Sequence, residues 1–179
     1  MKLEILTYPN KLLFTRSCEV VEFNEELHTL LDDMYETMLA EGGIGLAAVQ
    51  VGRAVRAFII NLVGENDEQK KEDLIEFINP VFTSKVGEQV FTEGCLSVPG
   101  FYEEVCRASE VVIEFQDRFG KPHTLEASGL LAVATQHEND HLDGHLFIEK
   151  IGYKQRKAFD KEFKKNGFKR LKKARQNEE

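Results

Sequence analysis

The chain has 179 residues, a formal net charge of −8 at pH 7 and no apolar run long enough to cross a membrane. Its length suits a single domain whose core needs no disulfide bonds, and its three cysteines lack the spacing of a disulfide scaffold. The first residues do not resemble a signal peptide. We therefore expect a soluble cytoplasmic protein, and the membrane and disulfide-rich secreted classes are excluded.

Charge is distributed unevenly along the chain. Residues 150–175 contain twelve Lys or Arg against two acids, a local charge of +10, so the remainder carries eleven basic residues against 29 acids, or −18. This asymmetry predicts a globular part over 1–150 and a basic helix and tail over 151–179. The tail either binds an anionic partner or is a solvated helix kept soluble by its lysines, and composition favours neither interpretation.

The first half of the chain is predicted to contain two helices. A short helix spans 10–17, and Asn24 caps a longer helix over 25–41 that Gly42 and Gly43 end. The apolar stripe of the longer helix comprises Leu27, Leu30, Leu31, Met34 and Met38.

Residues 43–52 form a predicted loop that contains the spacing G-x-G-x-x-A of dinucleotide-binding proteins. That fingerprint follows a strand and opens a helix, whereas here a helix precedes the segment and a predicted strand over 55–63 follows it. We therefore disfavour nucleotide binding. Glycines also let the backbone approach a ligand closely, and Gln50 could donate an amide hydrogen bond to that ligand.

The second half alternates predicted strands with turns. An exposed loop over 64–73 precedes extended segments at 74–82, 86–91, 102–106, 110–115 and 123–126, the last two joined by a hairpin turn at 117–121. Ser128 is predicted to cap a helix over 129–142 that Gly144 ends, and a further helix spans 153–165 before the chain frays. The fold class is α+β, mostly antiparallel strands packed around a central helix, with a C-terminal helix.

The predicted central helix carries a metal-binding pattern. Residues four apart on a helix are separated by about 400° of rotation, so His137 and His141 point the same way and can share one ion. Glu138 lies about 100° away, beside the ion, where a carboxylate can take a proton from metal-bound water. An alternative is a solvated helix that happens to carry two histidines.

An open catalytic metal site usually has three protein ligands, so a third is required. A metzincin would place a histidine at position 147, which is Phe147 here. Glu149 and Glu162 are only weakly suited to the thermolysin arrangement. The remaining candidate is Cys95, which lies upstream between small and apolar neighbours.

Three stretches, taken together, resemble the signature motifs of the peptide deformylase family in order and spacing: residues 43–50 (GIGLAAVQ), 93–97 (EGCLS) and 136–141 (QHENDH). The similarity extends over 6–148. It implies strands wrapped around the HExxH helix and a single catalytic domain over 1–150. It also implies a metal-dependent hydrolase that removes the formyl group from the N-terminal formylmethionine of newly synthesised polypeptides.

The resemblance also implies a ligand set and catalytic roles. Cys95, His137 and His141 would bind one divalent ion, with water in the fourth position. Fe²⁺ is the expected native ion, and family members tolerate Zn²⁺, Ni²⁺ or Co²⁺. Glu138 would generate the metal-bound hydroxide and then protonate the leaving amine. Gln50 and the backbone N–H of Leu96 would stabilise the oxyanion.

Substrate contacts are expected from Ile44, Gly45, Glu93, Gly94, Leu130, Val133 and Ala134. The last three share the helical face of His137, which favours a pocket for the methionine side chain. Residue by residue, an ordinary core position is an equally good interpretation.

Glu93 and Arg107 are expected to form a charge pair that holds the Cys95 loop, although an ion pair elsewhere explains them as well. Tyr102 departs from some relatives, which carry an arginine that contacts the substrate. This departure leaves the specificity beyond the first substrate residue open.

The implied partners are the nascent N-formylmethionyl polypeptide and, through the basic C-terminal helix, the ribosome. Neither a membrane nor sequence-specific nucleic-acid binding is expected. Two other functions are disfavoured, because the sequence lacks the ligands that each would need. A small HExxH endopeptidase would need a conventional third ligand downstream, and an RNA-binding module with a structural zinc would need four protein ligands.

Overall fold

The computed structural model describes residues 1–167. In chain order the helices and strands are α1 (Glu25–Ala40), β1 (Gly45–Ala47), β2 (Ala57–Ile60), β3 (Ile75–Val86), β4 (Gln89–Cys95), β5 (Val98–Arg107), β6 (Glu110–Gln116), β7 (Pro122–Ser128), α2 (Gly129–Leu142) and α3 (Tyr153–Asn166). Short 3₁₀ turns lie at Lys11–Phe14, Ala48–Val51, Lys71–Asp73 and Phe147–Glu149.

The strands form two antiparallel sheets. Five of them pair in the order β1-β2-β3-β6-β7, and β4 pairs with β5 in a separate hairpin. The register of this hairpin shifts between Gly94 and Cys95, so Cys95 pairs with Val98 across a tight reversal. The predicted α+β class with antiparallel strands is therefore confirmed.

Helix α2 is the central element of the core. Ten of its 14 residues are buried, including every residue from Ala132 to Asn139. It packs against β1, β2 and β7, so it is covered on nearly all sides, as expected of a helix inside a domain. Its predicted bounds are confirmed, and Gly144, with φ of 80°, follows it in the left-handed conformation that glycine favours.

Helix α1 also packs against β1 and β2 of the five-stranded sheet. Its buried stripe includes Leu31, Met34 and Met38, which pack with Leu46 and Ile59 of the sheet. The side chain of Asn24 accepts a hydrogen bond from the N–H of Leu27 at 3.2 Å, as a cap does. The helix and its cap are confirmed.

Several predicted boundaries were wrong. The helix over 10–17 is only the 3₁₀ turn Lys11–Phe14, and the strand over 55–63 is limited to Ala57–Ile60. The segment 43–52 is not a loop throughout, because it contains β1 and a 3₁₀ turn. β3 continues to Val86, since its last residues pair with β6, and the chain reverses at 87–88 instead. Ser128 precedes α2 but its side chain makes no capping hydrogen bond.

Helix α3 contacts the rest of the molecule through aromatic side chains. Phe159 is 3% exposed, and its ring centroid lies 4.8 Å from that of Phe101 and 5.5 Å from that of Tyr8. Phe163, one turn later, packs on Tyr8 at 4.9 Å. The part of the basic tail after Gly167 lies outside the described residues. Within residues 1–167, no helix combines the length and apolarity that a membrane crossing requires.

Candidate active site

Three potential metal ligands converge between the hairpin and α2. Cys95 ends β4, and His137 and His141 lie one turn apart on α2. Their ligand atoms all lie within 4.8 Å of one another, and the Sγ of Cys95 is 3.3 Å from the Nε2 of His141. One thiolate and two imidazoles suit a divalent transition metal, and three protein donors leave a position for water or substrate. The residues therefore fit the implied metal.

The orientation of His137 is fixed by a carboxylate. Its Nδ1 lies 2.8 Å from Oε1 of Glu93, which leaves Nε2 as the nitrogen available to an ion. Arg107 donates two hydrogen bonds to the same carboxylate. Burial alone would raise the pKa of Glu93, but the hydrogen bonds from Arg107 and His137 bring the pKa below its ordinary value.

The two histidines have opposite proton affinities. Burial would lower the pKa of His137, yet hydrogen bonds to Cys95 and Glu93 raise it well above the ordinary value. Burial, together with repulsion from His137, lowers the pKa of His141 well below that value. Metal binding would therefore compete with protonation at His137.

Glu138 is a buried carboxylate with spare capacity for a hydrogen bond. Its side chain lies beside Gly45, where an added Cβ would come within 2.4 Å of Oε1. Its Oε2 is buried and has no hydrogen-bond partner among the described residues. Burial raises the pKa of Glu138 to about 7, although the charge of His137 opposes this shift. Gly45 is therefore required by the close approach of Glu138.

Gln50 connects the glycine-rich segment to the hairpin. Its Oε1 accepts a hydrogen bond from the N–H of Ala47 at 2.8 Å, which fixes the amide orientation. Its Nε2 lies 3.1 Å from Oγ of Ser97 and 3.5 Å from Sγ of Cys95. Leu96 occupies the reversal between β4 and β5, next to Cys95. An amide donor and a backbone turn thus lie beside the ligand cluster.

A cleft of about 570 Å³ opens onto this cluster. Its lining brings together every residue expected to contact substrate: Ile44, Gly45, Glu93, Gly94, Leu130, Val133 and Ala134. Val133 and Ala134 are nearly buried, whereas Leu130 is 42% exposed. The cleft is also lined by Cys95, His137, Glu138 and Gln50, whereas His141 is buried and does not line it. The wall is mainly apolar.

Sequence reasoning missed three features of the site. Ser97 is fully buried and accepts the hydrogen bond of Gln50, and its place in the second motif was a usable signal. The contact between Glu93 and His137 joins residues 44 positions apart, so no local pattern indicates it. The cleft is also lined by Lys2 and Glu41, which pair at 2.7 Å, and no sequence signal pointed to this wall.

Comparisons with known proteins agree with this geometry. Residues 2–157 match the family model described as polypeptide deformylase. The chain is 60% identical over 163 residues to a peptide deformylase from Campylobacter jejuni, covering 90% of this chain and 93% of the relative. It is 57% identical over 162 residues to a peptide deformylase from Helicobacter pylori, with 90% and 93% covered.

Solved structures show the same architecture. A crystal structure of a peptide deformylase from Legionella pneumophila superposes with a TM-score of 0.87 at 41% identity, covering 96% of this chain and 98% of the other. One from Ehrlichia chaffeensis in complex with actinonin gives 0.81 at 37% identity, covering 92% and 97%. The chain belongs to the polypeptide deformylase family and is a metal-dependent hydrolase that removes the N-formyl group from nascent polypeptides.

Proposed function

We propose that Glu138 is the general base and acid of the deformylation reaction in this cleft. The observation that carries this proposal is a buried carboxylate with an unpartnered oxygen next to three convergent metal ligands. A base must be within reach of the proton that it abstracts and must have a pKa near the working pH. Glu138 would take a proton from the attacking water and deliver it to the leaving amine.

Cys95, His137 and His141 would hold the metal ion. When bound, a divalent cation at this position acidifies a water molecule and polarises the formyl carbonyl. The thiolate of Cys95 adds negative charge and softness to the donor set. We propose Fe²⁺ as the native ion, with Zn²⁺, Ni²⁺ or Co²⁺ as functional replacements.

Gln50 and the backbone N–H of Leu96 would stabilise the negative charge that develops on the formyl oxygen. The amide of Gln50 is held by Ala47, so it needs little reorganisation during the reaction. Its Nε2 already points toward Cys95 and Ser97, beside the ligand cluster. This pre-set orientation supports the role of an oxyanion donor.

The apolar part of the cleft would bind the methionine side chain of the substrate. Leu130, Val133 and Ala134 line it from α2, and Ile44 lines it as well. Gly45 and Gly94 would leave room for the substrate backbone, although a Cβ at Gly94 would also meet the ring of Tyr102 at 2.4 Å. Glu93 would act on His137 rather than on the substrate, because Arg107 and His137 occupy its oxygens.

The experiment that tests the reaction compares two substrates. Metal-loaded protein should release formate from a formyl-Met-Ala-Ser peptide and should leave an acetylated peptide with internal bonds intact. Actinonin, which is bound in the relative from Ehrlichia chaffeensis, should inhibit the first reaction. Cleavage of internal peptide bonds at a comparable rate would favour the endopeptidase interpretation.

We also propose that the C-terminal segment 151–179 docks the enzyme on the ribosome. Five exposed lysines of α3 lie on one side of the helix: Lys154, Lys157, Lys161, Lys164 and Lys165. At about 100° per residue this stripe is opposite Phe159 and Phe163, which face the protein. A cationic face of this kind binds a phosphate backbone without reading bases, and docking would raise the local substrate concentration.

A further inference from the structure

Arg107 connects the β4–β5 hairpin to helix α2. It is the last residue of β5, and its side chain is 4% exposed. Its Nε donates to Oε2 of Glu93 at 2.5 Å and its Nη2 donates to Oε1 at 2.8 Å. Its Nη1 donates to Oδ2 of Asp140 on α2 at 2.8 Å. One guanidinium therefore spans β4 and α2.

The carboxylate of Glu93 is shared between Arg107 and a metal ligand. Oε1 accepts from Nη2 of Arg107 and also lies 2.8 Å from Nδ1 of His137. A guanidinium is planar and rigid, so two parallel hydrogen bonds fix the plane of the carboxylate. The carboxylate in turn fixes the rotation of the imidazole, with Nε2 directed toward the other ligands.

Asp140 gives Arg107 a second point of attachment on the same helix. It follows His137 by three residues, so the contact sets the position of this helical turn relative to Glu93. Lys150 lies 3.6 Å from the same carboxylate oxygen of Asp140, so this acid keeps a cationic neighbour when Arg107 is changed.

We infer that Arg107 is a positioning residue that acts through Glu93 to fix the orientation of His137 for metal binding. This inference rests on the proposed metal site. The competing explanation is that the buried ion pair contributes only to folding, as such pairs do in some proteins. The two explanations differ in whether the metal environment changes when the geometry of the pair is altered but its charge is kept.

The test uses the full-length protein loaded with Co²⁺ and the substitution Arg107→Lys. This substitution keeps the positive charge but removes the planar guanidinium and its two parallel N–H donors. The readouts are the visible absorption spectrum of the bound cobalt, the rate of cobalt transfer to a chelator, and the thermal midpoint. We expect the spectrum to shift and metal loss to accelerate by about 10- to 100-fold, the usual cost of losing an outer partner of a metal ligand.

Arg118→Lys is the matched control. Arg118 also donates two hydrogen bonds to one carboxylate, that of Glu76, and a third to Asp32. None of its hydrogen-bond partners contacts Cys95, His137 or His141. The control should lower the thermal midpoint while leaving the cobalt spectrum and the rate of metal loss within about twofold of the wild type.

An Arg107→Lys protein whose cobalt spectrum and release rate match those of the control would overturn the inference. If that variant does not fold, Glu93→Gln replaces it. This isosteric change can still accept from His137 but loses the charge that holds the guanidinium, and it should also accelerate metal loss. An unchanged release rate in Glu93→Gln would likewise reject the inference. Wild-type protein that binds no cobalt would instead refute the metal site itself.

Discussion

Helices α2 and α3 have the same length of 14 residues but opposite environments. Ten residues of α2 are buried, whereas only Phe159 is buried in α3. Buried polar groups are costly unless they are paired, and most of those on α2 have partners. The exceptions include Oε2 of Glu138 and Nδ1 of His141, both at the ligand cluster. The buried helix therefore carries the unpartnered polar atoms of the ligand cluster, whereas α3 leaves its lysines exposed to solvent.

The largest expected effect concerns Glu138 on the buried helix α2. Glu138→Gln keeps the shape of the side chain but removes the proposed base, so kcat should fall by about 10² to 10⁴. Metal content, measured on the same preparation, should stay at one ion per chain because Glu138 is not a ligand. Turnover close to that of the wild type with full metal content would remove Glu138 from the mechanism.

The next effect concerns the buried side of α3. Phe159→Ala should reduce the free energy of unfolding by about 3 kcal/mol, because it empties a site between Tyr8 and Phe101. Denaturant unfolding measures this change. Phe119→Ala is the control, since Phe119 is 74% exposed and its loss should cost less than about 0.5 kcal/mol. Equal midpoints for the two variants would contradict a stabilising role for the α3 contact.

A third prediction tests the ligand that does not come from α2. Cys95→Ser replaces a soft, acidic donor with a hard and weakly acidic one. Metal affinity should fall by at least about 10²-fold, the upper range for losing an outer partner alone. Competition with a chelator provides the measurement. Stoichiometric metal and normal turnover in the serine variant would mean that the third ligand lies elsewhere.

The pH dependence offers a smaller effect at the same helix. Glu138 accepts a proton only when ionised, so kcat/KM should fall about tenfold per pH unit below its pKa. Burial raises this pKa to about 7, and the charge of a bound cation lowers it again, so the acid limb should lie at or below pH 7. The residual activity of Glu138→Gln should lack this limb. The same limb in both proteins would assign it to another group.

The smallest expected effect on catalysis comes from the exposed side of α3. Replacing Lys157, Lys161 and Lys164 with Gln should weaken the salt dependence of ribosome binding. The negative slope of the logarithm of the binding constant against the logarithm of the salt concentration should decrease in magnitude by about 3. Turnover of a short peptide should stay within about twofold, because these side chains do not line the cleft. Co-sedimentation at several salt concentrations gives the slope.

The control replaces three exposed lysines elsewhere, Lys11, Lys85 and Lys121, by Gln. Equal binding by both triple variants would reject docking through α3. These substitutions are preferable to removing the helix, since truncation would also expose Phe101 and Tyr8.

Elements with local signals could be predicted from the sequence. Asn24 marks the start of α1, and Gly144 follows the end of α2. Both ends could be predicted because capping depends on neighbouring residues. The extension of β3 to Val86 could not be predicted in this way. Its polar end residues are held by pairing with β6, as in Lys85 opposite Val111, and such pairing is not visible in a local window.

The candidate site shows the same limit. Three motifs indicated which ligands meet, and the structure brings Cys95, His137 and His141 together. The second contact of Glu93, to His137, depends on how the hairpin lies on α2, so only Arg107 was expected as its partner. Lys2 lines the cleft because the N-terminal segment runs past the end of α1, and no pattern in its residues indicates that path.

The hairpin that carries Cys95 has a consequence for hydrogen exchange. A two-stranded hairpin is marginal in water, and β4–β5 is paired separately from the five-stranded sheet. A bound cation would cross-link this hairpin to α2 through Cys95 and the two histidines. Amide deuteration of β4–β5 in metal-free protein should therefore outpace that of β2–β3, and metal loading should slow it selectively. Loss of the ion and loosening of this cleft wall would then be a single event.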